Sequence, residues 1–284
     1  SVLDINARRV SEVVSRGIGQ PIVIDNRPGA NGFIGMEMAA KAKPDGYTLV
    51  FGSTGTISIN PLIYAKTPYD AAKDFVAITL NAYGYPMLVV NNAVPAKTLK
   101  EFIAYAQSKP GQITCGSPGA GSGQYLGAKL LEKLTGIKLN YVAYKNHPEV
   151  MTDLVGGQIH MTVEFASISV PHIQGGKVRA LAVAGPLRKP ALPEVPTAAE
   201  AGLPEFEVVG WNGYFARTGT PAEIIAKLAT ALSAAIKGKD FADYTHSLGS
   251  EVGGNTPEEF KAFIERENQR WEKVVREMGI KIEG

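Results

Sequence analysis

Cysteine is almost missing from this 284-residue sequence: Cys115 stands alone. A single thiol excludes an internal disulfide framework and any cysteine-rich zinc site. Histidine is scarce as well. The four, at positions 147, 160, 172 and 246, show no His-x-x-x-His or comparable ligand spacing, so no metal is expected. Neither sign of charge dominates: 29 Lys and Arg against 27 Asp and Glu leave a net charge of +2, which gives no electrostatic case for nucleic acid or an anionic membrane. Apolar runs are only a few residues long, as at 180–184, so no spanning helix and no membrane insertion are expected. No signal peptide is visible, so an exported protein would appear here in processed form.

Catalytic signatures are lacking too. Glycine is dense between 116 and 123, but no Gly-Lys-Ser/Thr follows, and the spacing does not fit a dinucleotide fingerprint. Ser117 and Ser122 do not sit in a Gly-x-Ser-x-Gly elbow. Cys115 lies at a strand end with no sequence signature for a base and reads as a packed structural thiol. No cofactor, no catalytic residue and no enzyme activity are expected.

What is present is an ordinary globular composition, 45% apolar and 20% charged, long enough for one sizeable domain or two modest ones. Short, mostly β-branched runs at 21–25, 47–52, 86–91, 112–116, 140–144, 159–165, 178–184 and 206–211 read as strands. Amphipathic segments alternate with them, which makes an α/β protein. Capping boxes are expected at Thr98/Glu101, Thr197/Glu200, Thr220/Glu223 and Thr256/Glu259, the last two with proline at the first helical position. Asn60, before Pro61, reads as a helix-entry cap, and Trp211 and Tyr214 as core residues or cleft walls. A polar, proline-bearing exit at 92–95 and a proline-rich stretch at 186–204 argue for two lobes. The expected division is a discontinuous first lobe, 1–92 with 208–284, around a continuous second lobe, 93–207.

Two loops carry the chemistry. Gly116, Ser117, Gly119, Ala120, Gly121 and Ser122 form a bare connection from a strand into a helix that Ser122 can cap and Gly136 can end. A helix N-terminus behind such a loop offers backbone N–H groups and the positive end of its dipole to an anion. Ser53, Thr54, Gly55 and Thr56 make a second small, hydroxyl-rich loop. In open α/β sheets ligands sit beyond the carboxyl ends of the strands, and two such loops facing across a cleft would enclose a small polar ligand. Glu164 ends a strand in the same ring, where it can pair with a cationic group, accept from a hydroxyl directly or through water, or point to solvent.

An ordered set of phrases runs along the chain: Asp25-Asn-Arg-Pro-Gly-Ala30, Pro44-Asp-Gly-Tyr-Thr-Leu49, Ile59-Asn-Pro61, Pro68-Tyr-Asp70, Gly116-Ser-x-Gly-x-Gly121, Tyr144-Lys145, Leu154-x-Gly-Gly-Gln158, Val195-Pro-Thr-x-x-Glu-Ala-Gly202 and Gly219-Thr-Pro221. Together they resemble the substrate-binding proteins of tripartite tricarboxylate transporters, the Bug family of periplasmic receptors. The resemblance spans the whole chain. It implies a type II periplasmic binding protein fold, two α/β lobes with a hinge and an interlobe ligand cleft. It further implies a monomeric periplasmic receptor that takes a small carboxylate or dicarboxylate, largely on backbone groups, and delivers it to membrane permease subunits. Asp4, in Asp4-x-x-Ala7-Arg8, is expected beside the 53–56 loop in the first lobe's share of the site.

The departures from the family pattern bear on ligand identity. An additional strand with a Pro-Gly-Gly loop usually precedes the Asp-x-x-Ala-Arg phrase. Glu164 stands where Asp is common, Ile57 where His is common, and Asn146-His147 replaces a small glycine-containing turn. Two other readings are a ligand-sensing part of a regulator, which a helix-turn-helix in the intact gene product would favour, and a small-molecule α/β enzyme, which turnover dependent on Cys115 or Glu164 would favour.

Overall fold

The computed structural model describes residues 2–281. In chain order its elements begin with helix α1 (Val2–Ile18), α2 (Phe33–Ala40), strand β1 (Leu49–Ser53), α3 (Asn60–Ile63), α4 (Ala71–Asp74), β2 (Phe75–Gly84) and β3 (Met87–Asn91). Then follow α5 (Leu99–Gln107), β4 (Ile113–Ser117), α6 (Gly123–Thr135), β5 (Leu139–Ala143), α7 (His147–Val155), β6 (Met161–Glu164), α8 (Ala166–Gln174) and β7 (Val178–Val183). The remaining elements are β8 (Gly210–Arg217), α9 (Ala222–Lys237), α10 (Lys239–Ser247), β9 (Glu251–Val252) and α11 (Pro257–Met278).

Two compact units result. Unit 1 comprises Ser1–Tyr83, Trp211–His246 and Glu251–Gly284, and unit 2 comprises Gly84–Gly210 with Ser247–Ser250. The chain therefore crosses at Tyr83/Gly84, not near residue 92 as the proline-bearing exit implied. The physical reason is pairing: β3 lies between β6 and β7 and is fully buried there, so it belongs to the second unit's sheet.

Unit 1 is built on a four-stranded sheet in the order β1-β8-β2-β9, with β1 antiparallel to β8 from Leu49↔Ala216 to Ser53↔Asn212. Val10 and Val14 of α1, Ile78 of β2, Tyr214 of β8, and Leu232 and Ile236 of α9 join in one buried cluster. Trp211 is also buried, so both aromatics near the crossing are core residues. β2 escapes sequence reading because two of its buried positions are polar. Thr79 donates to the Asn255 carbonyl and the Asn81 amide to Asn212 Oδ1, which gives both buried donors a partner.

Three local expectations need correction in this unit. Residues 21–25 run extended but join neither sheet among the described residues; Val23 is 84% exposed. A β-branched run becomes a strand only when a neighbour satisfies its backbone. Asn60 does not cap a helix with its side chain. It is buried and donates to the Asn31 carbonyl, bracing a turn in which Ala30 and Asn31 both take positive φ. Thr220 is not a cap either: its hydroxyl donates to the Arg217 carbonyl, and Pro221 takes the N-cap position. The expected strand at 206–211 also starts late, at Gly210; Phe206 and Val208 are buried in unit 2, where Val208 N–H reaches a single carbonyl, that of Ala184.

Unit 2 has a five-stranded sheet in the order β5-β4-β6-β3-β7. β4 is parallel to both β5 and β6, whereas β3 is antiparallel to β6 and β7. Met87, Val89, Val150, Met151 and Leu154 share a buried cluster on one side of it. On α6, a Cβ at Gly127 would lie 3.1 Å from Val163 Cγ1, so glycine lets that helix approach β6 closely. Because β4, β5 and β6 run the same way and each feeds a helix, the N-termini of α6, α7 and α8 all emerge at one end of the sheet.

Caps written in the sequence hold where the helix needs them. Thr256 and Glu259 form a reciprocal box at the start of α11, and Gly279 ends it in the left-handed region. Thr256→Ala should therefore lower the unfolding free energy by about 1 kcal/mol, whereas Thr220→Ala should stay within about 0.5 kcal/mol of the parent. Urea titrations of the two variants check this, and equal losses would contradict the assignment.

Candidate functional site

The converging helix ends of unit 2 are built from local signals. Ser122 takes the N-cap of α6 with extended backbone, and its hydroxyl accepts from Tyr125 N–H at 3.1 Å while donating to the Gly119 carbonyl at 2.7 Å. Both capacities of Ser122 are thus engaged in shaping the loop. Gly119 sits at φ 112, a conformation closed to most L-residues. Gly116 has a packing role: a Cβ there would come within 2.5 Å of Ile159 Cδ1. The hydroxyl of Ser117 has no hydrogen-bond partner among the described residues, nor do the N–H groups of Ala120, Gly121, Gly123 and Gln124. These are orphan donors of a helix N-terminus and its preceding turn.

Asn146 caps α7 by accepting from Glu149 N–H at 3.0 Å. α8 has no side-chain cap of that kind. Instead Glu164, the residue before its N-cap Phe165, folds back so that Oε1 accepts from Phe165 N–H at 2.8 Å. Glu164 is fully buried. Gln124 Nε2 donates to its Oε1 at 3.2 Å, and His147 Nδ1 lies 2.9 Å from its Oε2. Burial pulls the His147 imidazole toward the neutral form, but the hydrogen bond and charge of Glu164 outweigh that and leave its pKa above the ordinary value. Glu164 therefore reaches solvent with none of its surface, whereas 37% of the His147 side chain remains exposed. Gln124 and His147 escaped the sequence reading as site residues. The available signal was positional, since each stands within the first two residues of a helix that follows a parallel strand.

The first-lobe candidates are placed in unit 1 with their side chains engaged. The Asp4 carboxylate accepts from Arg8 and Asn26, which hold its pKa below the usual carboxylate range. Ser53 and Thr56 cap one another at the start of a wide helical turn, Thr54–Ile59. The Thr54 hydroxyl is buried and accepts from Trp211 N–H at 2.8 Å. Tyr69 donates to the Thr56 carbonyl, and Gly55 lies within the same turn. Among the described residues no three His, Cys, Asp or Glu side chains are grouped to hold a metal, and no helix is long and apolar enough to cross a membrane.

Comparison with known proteins gives this geometry a setting. Residues 6–280 match the model of the tripartite tricarboxylate transporter family receptor. The chain belongs to this family. It is 32% identical to the protein BugT of Bordetella pertussis over 280 residues, covering 98% of this chain and 86% of BugT. A structure of an R. palustris protein with adipate superposes with a TM-score of 0.91 at 34% identity, covering 98% of this chain and 93% of that one. MatC from Rhodopseudomonas palustris with bound malate gives a TM-score of 0.88 at 34% identity, with 96% and 94% covered. The receptor thus has the two-lobed α/β fold of periplasmic solute-binding proteins and serves solute capture for a tripartite transporter.

Cys115 sits on β4 close to the loop yet is fully buried, and its thiol is pushed up to about 12, chiefly by burial and then by the charge of Glu132. Because the thiolate is the reactive form, the native receptor should not react with an aromatic disulfide reagent at pH 8, and should react at once in denaturant. Rapid labelling of the folded protein would contradict this placement.

Proposed function

We propose that the receptor captures a small carboxylate at the N-terminus of α6 and presents it to the membrane subunits of its transporter. It works in the periplasm, as a monomer and without catalysis. The observation that carries this reading is the set of unengaged N–H groups at Ala120, Gly121, Gly123 and Gln124 beside the free Ser117 hydroxyl. They lie at the carboxyl end of a parallel strand, where the helix dipole adds to their attraction for an anion. The adipate- and malate-bound relatives support the same ligand class.

The energetics are sufficient. A micromolar receptor needs about 8 kcal/mol, and hydrogen bonds to a charged group contribute roughly 1.5–3 kcal/mol each. Four or five donors meet that need in a site that excludes water, without a lysine or arginine in the loop. Ser122, Gly116 and Gly119 serve by shaping the loop, Glu164 by fixing its neighbours. Asp4, Ser53, Thr54, Gly55 and Thr56 stay as candidate ligand residues of unit 1, through backbone groups more than through their engaged side chains.

Gly123 offers a clean test because a Cβ there would meet nothing within 4 Å. Gly123→Asp places a carboxylate where the ligand's would sit. It should leave the unliganded melting temperature unchanged or raised, since an acidic residue suits a helix N-terminus. The like charges should repel by about 2–3 kcal/mol, weakening adipate and malate binding on the order of tenfold to a hundredfold. Thermal-shift and calorimetric titrations read both effects, and full affinity in the variant would reject the site.

A further inference from the structure

We propose that His147, held by Glu164, receives a second acidic group of the ligand and thereby makes the receptor prefer dicarboxylates to monocarboxylates. This rests on the reading that the α6 N-terminus takes the first carboxylate. Three observations carry it. The imidazole is oriented: Nδ1 faces Glu164 Oε2 at 2.9 Å, so the proton on that nitrogen points inward and Nε2 is the end turned away from Glu164. It is also accessible, with 37% of the side chain exposed and no partner for Nε2 among the described residues. Finally, it is close to the first site. Gln124 carries one of the free α6 N–H groups on its backbone, and its own Nε2 lies 3.3 Å from the imidazole. The imidazole thus packs against the side chain of a residue whose backbone N–H belongs to the first site, which sets the second acid-binding point beside the first.

Charge decides what Nε2 offers. A neutral imidazole with its proton on Nδ1 presents a lone pair outward, which repels a carboxylate. An imidazolium presents an N–H and a positive charge. Glu164, fully buried on β6, favours the imidazolium. Other ionisable groups around α7 do not offset it. Glu149 on α7 bonds Asn146, Asp153 accepts from Tyr144, whose phenol is pushed up to about 12, and Lys129 of α6 pairs with Glu132. β3 carries no ionisable group, β4 carries only Cys115, pushed up to about 12, and α8 carries only His172, near its far end.

Ligand binding and protonation must then be linked reciprocally. The test uses the full chain with succinate and adipate against butyrate and hexanoate, titrated calorimetrically between pH 5.5 and 8.5. For the parent, the diacids should bind at least about tenfold more tightly than the monoacids at pH 6, with the advantage fading as His147 deprotonates. His147→Gln keeps a donor for Glu164 but not the charge. It should lose the diacid advantage and its pH dependence while keeping monoacid affinity. As a variant-independent measurement, the imidazole NMR titration of the parent should shift upward with succinate and not with butyrate. A parent that binds monoacids and diacids alike, or a variant that keeps the diacid advantage, overturns the role of His147 and leaves the α6 site standing. A parent that binds none of the four acids overturns both.

Discussion

A fully buried carboxylate at the end of β6 is the constraint around which the second unit is organised. Glu164 cannot be left unpaired there, because an uncompensated buried charge costs several kcal/mol. Its partners come from three separate places: Phe165 N–H at the start of α8, Gln124 from the start of α6, and His147 from the start of α7. One side chain thus ties together the three helix ends that the parallel β5-β4-β6 strands deliver to the same end of the sheet. At the α6 end the N–H groups of Ala120, Gly121, Gly123 and Gln124 keep no partner among the described residues, and these are the donors proposed to take an anion.

On the proposed reading, the same arrangement lets a receptor dispense with a loop lysine or arginine. Oriented backbone N–H groups are already ordered by the fold and lose little entropy when a ligand arrives. Ser122 and Gly119 fix the loop shape from within, before any ligand is present. Glycine keeps bulk and charge out of the loop, and at Gly116 the packing of Ile159 leaves no room for a side chain.

What could be read from the sequence was local. The strand, glycine loop, Ser122 cap, α6 and Gly136 stop follow one another within 25 positions of chain, and each signal acts on its neighbours. The Thr256/Glu259 box is of the same kind. What could not be read depended on distant partners. β2 looks unpromising until Asn255 and Asn212 are seen to accept from Thr79 and Asn81. Residues 21–25 have strand composition and no strand neighbour among the described residues. Gln124, His147 and Glu164 form one cluster across separations of 23, 17 and 40 positions, which no spacing rule covers. The boundary near 92 failed for the same reason, since only pairing with β6 and β7 reveals where β3 belongs. The whole-chain family resemblance supplied the two-lobed fold and the receptor function that these local signals left open.

The central claim is that the α6 N-terminus is the anion cradle. A crystal structure of the receptor grown with succinate tests it most directly. The account predicts one carboxylate oxygen within hydrogen-bond distance of the Gly123 or Gln124 backbone nitrogen, with the Ser117 hydroxyl on the same group. Well-ordered succinate bound elsewhere, with those nitrogens facing only water, would contradict it.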